Sequence, residues 1–525
     1  MVTPLQLTTV SRHIGYKKYA SPGLAIGASF VAMTLVVGAC AYEPGVTPQV
    51  EVSAAGSATT LDTAEVGTCV PSSSAAPSTL AVASPIAAAI AVSRATFPCA
   101  PHVTIAPVEE PRLVAAAAVH ASQSGGPLLL IEEDLPSPEL LAELERLGAV
   151  ELSVTGAAAL NTPAFAPYPV TRISGLAVAG EPPVEVAEPN RLWLVAEGND
   201  TVLPVVERAA EAAGDRVIIV GAEDLRVVDG PSASLEIDPA TPITTLGVAD
   251  EAMWQLEVLR SGNELPGGGY LLFPDRRFVA AYGHPGISAL GILGAQSPGA
   301  TAQRLNELVA GYDGDGVQVI PTFELIATIA DANAGPDGDY SLESTIDHLR
   351  PWVDVAGELG MYVVLDLQPG RTDFLTQAKL YEELLLEPHV GLALDPEWRL
   401  EPDQFHLDQI GSVDAEEVNT VVRWLADLVA DNALPQKLLI VHQFNTSMIR
   451  SRQRIEQPPQ LAVLLQMDGH GPIAIKYGSW DALHRGSEAE DFWWGWKNFF
   501  GFDPELATPE QVLALEPVPY FVSFQ

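Results

Sequence analysis

Two carboxylates stand one residue apart at the end of an apolar run, in the segment Val390-Gly391-Leu392-Ala393-Leu394-Asp395-Pro396-Glu397. If this run is a strand that continues through the pair, side chains alternate and both carboxylates project to the same side. Two neighbouring carboxylates cannot both ionise cheaply, so one pKa should rise, and an acid protonated near neutral pH can protonate a glycosidic oxygen. The pair predicts acid–base chemistry by Glu397 with Asp395 as its partner. The alternative is a capping Asp-Pro turn with a solvated Glu397.

Most other apolar runs in the C-terminal half also end in side chains that can bind a substrate or transfer a proton. We expect substrate contacts from His284, Glu324, Asp366, Gln368, Trp398, His442, Gln443, Asp468, Lys476, Tyr477 and Trp480. Polar residues after so many runs predict a shared pocket, with ordinary solvated loop starts as the alternative. Trp398 and Trp480 are expected to stack on sugar faces, whereas the Trp- and Phe-rich segment 493–500 is expected to be a helix packed on the domain wall.

The elements that must position these residues form a repeating pattern from residue 268 to residue 525. Eight runs are predicted to be strands, at 278–282, 317–321, 362–367, 390–394, 438–441, 462–467, 473–477 and 520–524. Helix-like segments separate most of them. Eight such units in about 250 residues predict a (β/α)8 TIM barrel, in which catalytic groups lie at the C-terminal ends of the strands.

Residues 79–265 also alternate between helix-like and strand-like segments. Helices are predicted at 84–96, 112–123, 138–147 and 202–213, and strands at 127–131, 150–155, 192–195 and 217–221. Strands that alternate with helices indicate a parallel sheet. The predicted fold class is therefore α/β throughout, with a parallel α/β domain followed by the TIM barrel.

The N-terminus carries the features of an export signal. A basic stretch at 12–18 precedes an apolar run at 23–37, which is shorter than the ~20 residues of a membrane-spanning helix. The run ends in Val37-Gly38-Ala39-Cys40, which resembles the lipobox of bacterial lipoproteins. The resemblance implies a signal peptide at 1–40, lipidation of Cys40 and a location on the extracellular face of the cytoplasmic membrane or in the cell wall. A plain secretory signal or an uncleaved anchor is the alternative.

The next segment, 41–78, is rich in Ala, Ser, Thr, Pro and Gly, and we expect a disordered tether there. If Cys40 is lipidated, Cys69 and Cys99 are the two remaining cysteines. An even remainder in an oxidising compartment predicts a disulfide between them, with two free thiols as the alternative.

Composition limits the partners. Lys and Arg number 27 and Asp and Glu number 67, which gives a formal net charge of −40. Nucleic acids and anionic lipids attract clustered positive charge, so neither is expected to bind, and contact with the membrane is expected through the lipid anchor alone. The sequence has no P-loop, Gly-x-Gly-x-x-Gly, Gly-x-Ser-x-Gly or Cys-x-x-Cys motif. Nucleotides, organic cofactors, serine-hydrolase chemistry and dithiol redox chemistry are therefore not expected. Because the sequence also lacks a His-Glu-x-x-His or His-x-His signature, we expect no resident metal.

Three segments of the first domain, at 87–98, 113–160 and 171–175, resemble the bacterial cell wall-binding repeat type 2. They share its Ala-rich helix, its Gly-x-Pro-Leu-Leu-Leu strand, its leucine-rich helix and its Val/Gly-rich strand. The resemblance covers one repeat well and a second, at about 171–260, poorly. It implies noncovalent attachment to cell-wall polymers, with a spacer role as the alternative.

The Asp-x-Glu pair after the fourth barrel strand resembles that of family-25 lysozyme-like and family-18 chitinase-like glycoside hydrolases. The resemblance implies that Glu397 is the acid and that Asp395 helps a substrate N-acetyl group to attack. We therefore expect an anchored envelope lipoprotein whose barrel cleaves a cell-wall or extracellular glycan. The alternatives are a surface protein that binds a glycan or a partner without turnover, and a metal-dependent hydrolase.

Overall fold

The computed structural model describes residues 69–73, 78–80, 83–132, 136–156, 163–173, 189–221, 224–227 and 240–525. The predicted signal peptide, the lipidation site Cys40 and most of the predicted tether lie outside these residues. Within the described residues, no helix is both long enough and apolar enough to cross a membrane.

The first part of the chain forms two four-stranded parallel sheets with helices between their strands. The elements are β1 (Ser78–Leu80), α1 (Pro85–Thr96), β2 (His102–Pro107), α2 (Pro111–Ser124), β3 (Leu128–Ile131), α3 (Pro138–Leu147), β4 (Glu151–Val154), β5 (Val170–Arg172), β6 (Leu192–Ala196), α4 (Leu203–Ala213), β7 (Arg216–Val220), β8 (Ile243–Leu246) and α5 (Asp250–Ser261). The strand orders are β3-β2-β4-β5 and β1-β8-β6-β7. Because β1 pairs with β8, the first strand of the chain completes the second sheet.

Local sequence signals explain why these elements begin and end where they do, and α3 is an example. The Ser137 side chain accepts a hydrogen bond from the backbone N–H of Leu140, and Pro138 occupies the first turn, where its missing N–H costs nothing. Gly148 ends the helix in the left-handed conformation with φ of 66°. The four apolar residues of β3, three leucines and one isoleucine, are buried on both faces, as in a parallel sheet covered by helices.

A disulfide ties the start of the described chain to the end of α1. Cys69 and Cys99 are bonded, with their Cα atoms 5.2 Å apart. Beside it, the backbone N–H of Ser72 donates to the carbonyl of Thr96 over 2.9 Å. The segment around residue 70 is therefore fixed to the first domain by one covalent link and a backbone hydrogen bond.

The second part of the chain is a closed barrel of eight parallel strands. Its elements are β9 (Arg276–His284), β10 (Ile287–Gly291), α6 (Pro298–Val309), β11 (Gln318–Ala330), β12 (Ser341–Glu343), α7 (Ile346–Glu358), β13 (Tyr362–Leu367), α8 (Phe374–Leu380), α9 (Glu382–Leu385), β14 (Val390–Leu394), β15 (Val413–Asp414), α10 (Ala415–Asp431), β16 (Lys437–His442), β17 (Ile449–Arg450), β18 (Leu461–Met467), α11 (Ile473–Leu483), β19 (Trp493–Asn498), α12 (Pro509–Leu513) and β20 (Phe521–Phe524). The barrel order is β9-β11-β13-β14-β16-β18-β19-β20, and β20 pairs with β9 to close it. The predicted α/β fold class with a TIM-type barrel is confirmed; the domain boundary near residue 266 stays a prediction.

The seventh strand is not where the sequence predicted it. Residues 473–477, predicted to be a strand, begin α11, and the segment predicted to be a helix, 493–500, contains the seventh strand, β19. A short apolar run fits a buried strand and a buried helix equally well, so periodicity could not separate the two. In β19, Trp494 and Trp496 belong to the core between the barrel and its helices, whereas the intervening Gly495 lies against Leu464 and Phe521 of the interior.

Apolar side chains fill the lower interior of the barrel. This plug consists of Leu265, Leu272, Phe273, Phe278, Ala280, Ile320, Tyr362, Val364, Ala393, Leu438, Ile440, Ala462, Leu464 and Phe521. The barrel is therefore a packed core with no pore, and any site must lie above the plug at the C-terminal strand ends.

Candidate functional site at the barrel mouth

A layer of polar side chains lies directly above the apolar plug. Strand side chains alternate, so a residue two or four positions after a plug residue points into the same interior. That position is occupied by Tyr282, Glu324, Asp366, Asp395, His442, Gln466 and Asp468, all of which are buried. Six strands thus deliver their polar ends to one enclosed layer, which we call the mouth layer, together with Lys497 from β19.

His442 occupies the centre of the mouth layer. Its Nδ1 lies 3.0 Å from Asp468 Oδ2, and its Nε2 lies 3.4 Å from a carboxylate oxygen of both Glu324 and Asp366. Burial disfavours an imidazolium, but the three carboxylates outweigh burial and raise the pKa of His442 well above its ordinary value. Burial likewise favours the neutral form of Asp468. The hydrogen bond and the charge of His442 have the larger combined effect, so the pKa of Asp468 is lowered. His442 is therefore a buried cation held by carboxylates.

Tyr282 and Lys497 form a second part of the mouth layer. The Tyr282 hydroxyl donates to Asp366 Oδ2 over 2.8 Å. Lys497 Nζ lies 3.5 Å from the centre of the Tyr282 ring and 4.0 Å from Asp468 Oδ2. Lys497 therefore supplies a second buried positive charge to the acidic layer, partly through a cation–π contact.

Several carboxylate oxygens of the mouth layer form no hydrogen bond with the described residues, although one oxygen each of Glu324 and Asp366 lies 3.4 Å from Nε2 of His442. They are both oxygens of Glu324 and the Oδ1 atoms of Asp366, Asp395 and Asp468. A buried acceptor without a donor is costly, so such a layer favours protonation of some of its carboxyl groups or a ligand that brings donors.

Glu397 reaches the mouth from a turn that follows the fourth strand. Strand β14 ends at Leu394, and Pro396–Trp398 form a 3-10 turn, so the strand alternation used to pair Asp395 with Glu397 does not continue that far. Pro396 cannot donate a ladder hydrogen bond, which explains why the strand stops before it. The backbone N–H of Asp395 donates to Leu367, and that of Gly411 donates to Glu397 over 2.8 Å. The turn, not the strand, sets the direction of Glu397.

Both carboxyl groups of the pair hold their protons more tightly than usual. Burial, followed by the charge of Glu397, raises the pKa of Asp395 well above its ordinary value. Burial, followed by the charge of Asp468, raises the pKa of Glu397 to about 7. A carboxylic acid with a pKa near 7 can both give and take a proton at neutral pH.

Glu397 is also the member of the pair that solvent can reach. Asp395 is 2% exposed, whereas Glu397 is only partly buried and lines a cavity of about 280 Å3. The other walls of this cavity are Trp398, Leu407, Gln409 and Ile410. A substrate in the cavity would meet Glu397 directly, while Asp395 would act from behind it.

Three further predicted contact residues lie at the ends of strands that also supply the mouth layer, and each has a side-chain partner. Gln368 donates to the Tyr282 hydroxyl over 3.4 Å, which joins it to the layer. His284 pairs with Ser344 over 3.1 Å. Gln443 accepts from Arg452 over 3.0 Å and belongs to the barrel wall, so the structure does not bring it to the layer.

The three residues predicted at the end of the seventh strand lie on α11, because that strand is β19. Lys476 is buried, donates to the backbone carbonyl of Lys497 and forms an ion pair with Asp503. Tyr477 packs against Trp496 with 5.9 Å between ring centres. Trp480 is buried in the aromatic core of the wall, so the expected stacking of Trp480 on a sugar is wrong.

Sequence reasoning missed Lys497 and Tyr282 as members of the site. The sequence pattern does not identify Lys497 because it predicts a helix at 493–500. A predicted strand there would have placed Lys497 near a strand end. Tyr282 ends an apolar run in the first strand, but a tyrosine there reads as core until the neighbouring Asp366 is known to face it. The signal for both residues is their position near a strand end, which depends on the correct strand boundaries.

A larger cavity, of about 940 Å3, lies in the α/β domain rather than at the barrel mouth. Its lining along α1 is mainly serine, alanine and isoleucine, and its charged members Arg94, Glu132 and Glu139 are exposed. These charged side chains are exposed to solvent, whereas those of the mouth layer are buried, so we assign the candidate site to the barrel mouth despite the size of this cavity.

Comparisons with known proteins leave the function to be argued from the site. No protein-family model matches the chain, and no curated protein matches it. Among solved structures, the chain is similar to Cwp6 from Clostridium difficile at 14% sequence identity and a TM-score of 0.20, covering 71% of this chain and 64% of that chain. A similarity this weak carries no argument about activity.

Proposed function

We propose that the barrel is a hydrolase of the glycosidase type that acts on a cell-envelope or extracellular glycan. The proposal rests on two properties of the Glu397 carboxyl group: a substrate can reach it, and its pKa is raised. This carboxyl group lines the cavity, and burial beside Asp468 raises its pKa to about 7. Sugars require such an acid, because an alkoxide is a poor leaving group until its oxygen is protonated.

The reaction would proceed as follows. Glu397 gives its proton to the glycosidic oxygen, the bond between this oxygen and the anomeric carbon breaks, and the leaving sugar departs with a neutral hydroxyl. Water then adds to the anomeric carbon and returns one proton to the Glu397 carboxylate. Atoms and charge balance without an external cofactor.

The mouth layer would stabilise the positive charge that develops on the sugar ring. Asp366, Glu324 and Asp468 are buried carboxylates held around His442, so their fields act in a region that excludes water. Asp395 lies against Glu397 with a raised pKa, and in its protonated form it can donate a hydrogen bond to the substrate or to Glu397. The family resemblance suggests the substrate N-acetyl group as its target.

The direct test is the Glu397→Gln variant, assayed on purified wall glycan and on chitin oligosaccharides. We expect turnover to fall by 10²- to 10⁴-fold, the usual contribution of general acid–base catalysis. Glu401→Gln, on the same loop and exposed, is the matched control and should keep wild-type turnover. Undiminished cleavage by Glu397→Gln would show that the acid is misassigned.

The same assay separates the two alternatives. A protein that only binds glycan would show no turnover, and its binding would not depend on Glu397. A metal-dependent hydrolase would lose activity with a chelator and contain stoichiometric metal. Within the described residues, one group of carboxylates is compact enough to hold an ion, Asp337, Asp339 and Glu343, and it does not include the mouth layer.

We also propose that the chain is exported, lipidated at Cys40 and held at the cell surface, where the α/β domain either contacts wall polymers or serves as a spacer. The disulfide between Cys69 and Cys99 supports an oxidising compartment. The lipobox-like segment and the Ala- and Leu-rich repeat segments are the sequence features that support the anchor and the wall-binding role.

A further inference from the structure

The loop that follows Glu397 exposes several apolar side chains at the barrel mouth. Phe405 is 47% exposed, Leu407 is 87% exposed and Ile410 is 51% exposed. A single exposed apolar residue is ordinary on a protein surface, but a group beside a reactive carboxyl group is more typical of a binding site.

Leu407 stands out because its backbone is also strained. Its φ is 70°, in the left-handed region that a branched or bulky side chain seldom adopts. Glycine would take the same conformation without strain. The loop therefore holds a leucine side chain out in solvent where glycine would fit better, which indicates a use for that side chain.

The loop is fixed to the site. The backbone N–H of Gly411 donates to the carbonyl of Glu397 over 2.8 Å. Farther along, Arg371 donates to the carbonyl of Gln404 over 2.9 Å and lies over the Phe405 ring. A side chain at Gly411 would overlap carbonyl oxygens of the turn that carries Glu397, so the loop and that turn pack backbone to backbone.

The position of the cavity indicates which part of a substrate it would receive. Glu397 forms one wall of the cavity, whereas Glu324, Asp366 and Asp468 of the mouth layer are not among its walls. The sugar that develops positive charge is best placed near those carboxylates. The sugar that leaves stays neutral, takes the proton from Glu397 and tolerates apolar walls.

We propose that the cavity of Glu397, Trp398, Leu407, Gln409 and Ile410 is the subsite for the leaving-group sugar. This inference rests on the proposed function and deepens it. Trp398, Leu407 and Ile410 cover the C–H faces of one sugar ring, while the Gln409 side chain meets its hydroxyl groups. The exposed and strained Leu407 closes the outer side of this subsite.

The test compares a substrate that fills the subsite with one that leaves it empty. Chitotriose places a sugar there, whereas chitobiosyl fluoride has a fluoride leaving group and places nothing there. For Leu407→Gly we expect kcat/KM for chitotriose to fall about tenfold, since one leucine side chain is no longer buried by the ligand, and kcat/KM for the fluoride to stay within twofold. Leu380→Ala, an exposed leucine of α8, is the matched control and should change neither value.

A loss of activity through misfolding of Leu407→Gly can be distinguished from a loss of the subsite. Because glycine relieves the strain at position 407, the unfolding midpoint of Leu407→Gly should equal or exceed that of the wild type. Equal losses on both substrates, or no loss on either, would overturn the subsite. If the wild type cleaves neither compound but binds chitotriose, and Leu407→Gly weakens that binding tenfold, the cavity binds a sugar, but the hydrolase proposal and the leaving-group role both fall. If the wild type neither binds nor cleaves chitotriose, the subsite assignment is overturned.

Discussion

At the scale of single residues, burial and ion pairing have opposite effects on the charges of the mouth layer. Burying an ion costs several kcal/mol, so an isolated charge would lose or gain a proton. His442 remains charged because three carboxylates surround it, while burial, followed by the charge of Glu397, drives Asp395 toward its neutral form. Two aspartates of the same layer thus shift in opposite directions: the pKa of Asp468 is lowered by His442, whereas burial raises the pKa of Asp395.

The raised pKa of Glu397 predicts a pH-dependent stability. Its folded pKa is about 7 and its ordinary value is 4.5, so the folded protein holds this proton more tightly than the unfolded chain. The free energy of unfolding should therefore fall as pH rises from 4.5 to 7, by up to about 1.4 kcal/mol per pH unit from this group. Urea unfolding of the wild type and Glu397→Gln across this range measures the difference. A difference that does not change with pH would contradict the assignment.

Lys497 predicts a shift of the activity profile. Its positive charge lowers the pKa of Glu397, against the larger effect of burial. In Lys497→Met the protonated acid should persist to higher pH, and the alkaline limb of the activity profile should move up by about one pH unit. The exposed Lys379→Met, on α8, is the control and should leave the limb unchanged. A limb that stays in place in Lys497→Met would remove Lys497 from the site.

At the scale of elements, the site depends on where each strand stops. Seven barrel strands, β19 included, contribute side chains to the mouth layer, and the alternation of strand side chains selects which residue faces inward. Pro396 ends β14 early, so the acid is carried by a 3-10 turn that is held by the loop after it. A turn places Glu397 in the cavity, where a longer strand would have aimed it differently.

The Gly411→Ala variant tests whether the position of the Glu397 turn depends on the loop that follows it. Because a Cβ at this position would overlap carbonyl oxygens of Pro396, Glu397 and Arg399, Gly411→Ala should push the loop away from the turn. We expect a loss of about 1–3 kcal/mol in the free energy of unfolding and a fall in turnover. Gly299→Ala, where a Cβ would meet open space, is the control and should match the wild type. Unchanged turnover in Gly411→Ala would show that the turn does not need the loop.

At the scale of the whole molecule, the α/β part contacts the barrel at the end opposite the site. Arg226 donates to the carbonyl of Pro459 over 2.8 Å, just before β18 begins. This contact lies at the N-terminal strand ends, while the mouth layer lies at the C-terminal ends.

The disulfide predicts a stability effect in the α/β part. It closes a loop with a sequence separation of 30 residues, and cross-linking a loop of this length is worth about 3 kcal/mol. Cys69→Ser should lower the free energy of unfolding by this amount and leave turnover at the barrel unchanged. Urea unfolding and the glycan assay measure the two effects; an unchanged unfolding curve would mean that the bond does not restrain the unfolded chain.

Lipidation at Cys40 makes a separate prediction. In Cys40→Ala cells the protein should leave the membrane fraction, because a lipid anchor requires the thiol. Fractionation with radioactive palmitate labelling follows this change. A protein that stays with the membrane and never takes up label would contradict the lipoprotein assignment.

The amino-acid sequence by itself determined the α/β class, seven of the eight barrel strands and the acidic character of the strand ends, because these depend on local periodicity and on turn residues. The tertiary structure decided the rest. It assigned 473–477 to a helix and Trp493–Asn498 to a strand, because a short apolar run fits either element until its packing partners are known. It also placed Lys497 beside Tyr282 and set the proton affinity of Glu397, since both depend on which distant side chains share a space without water.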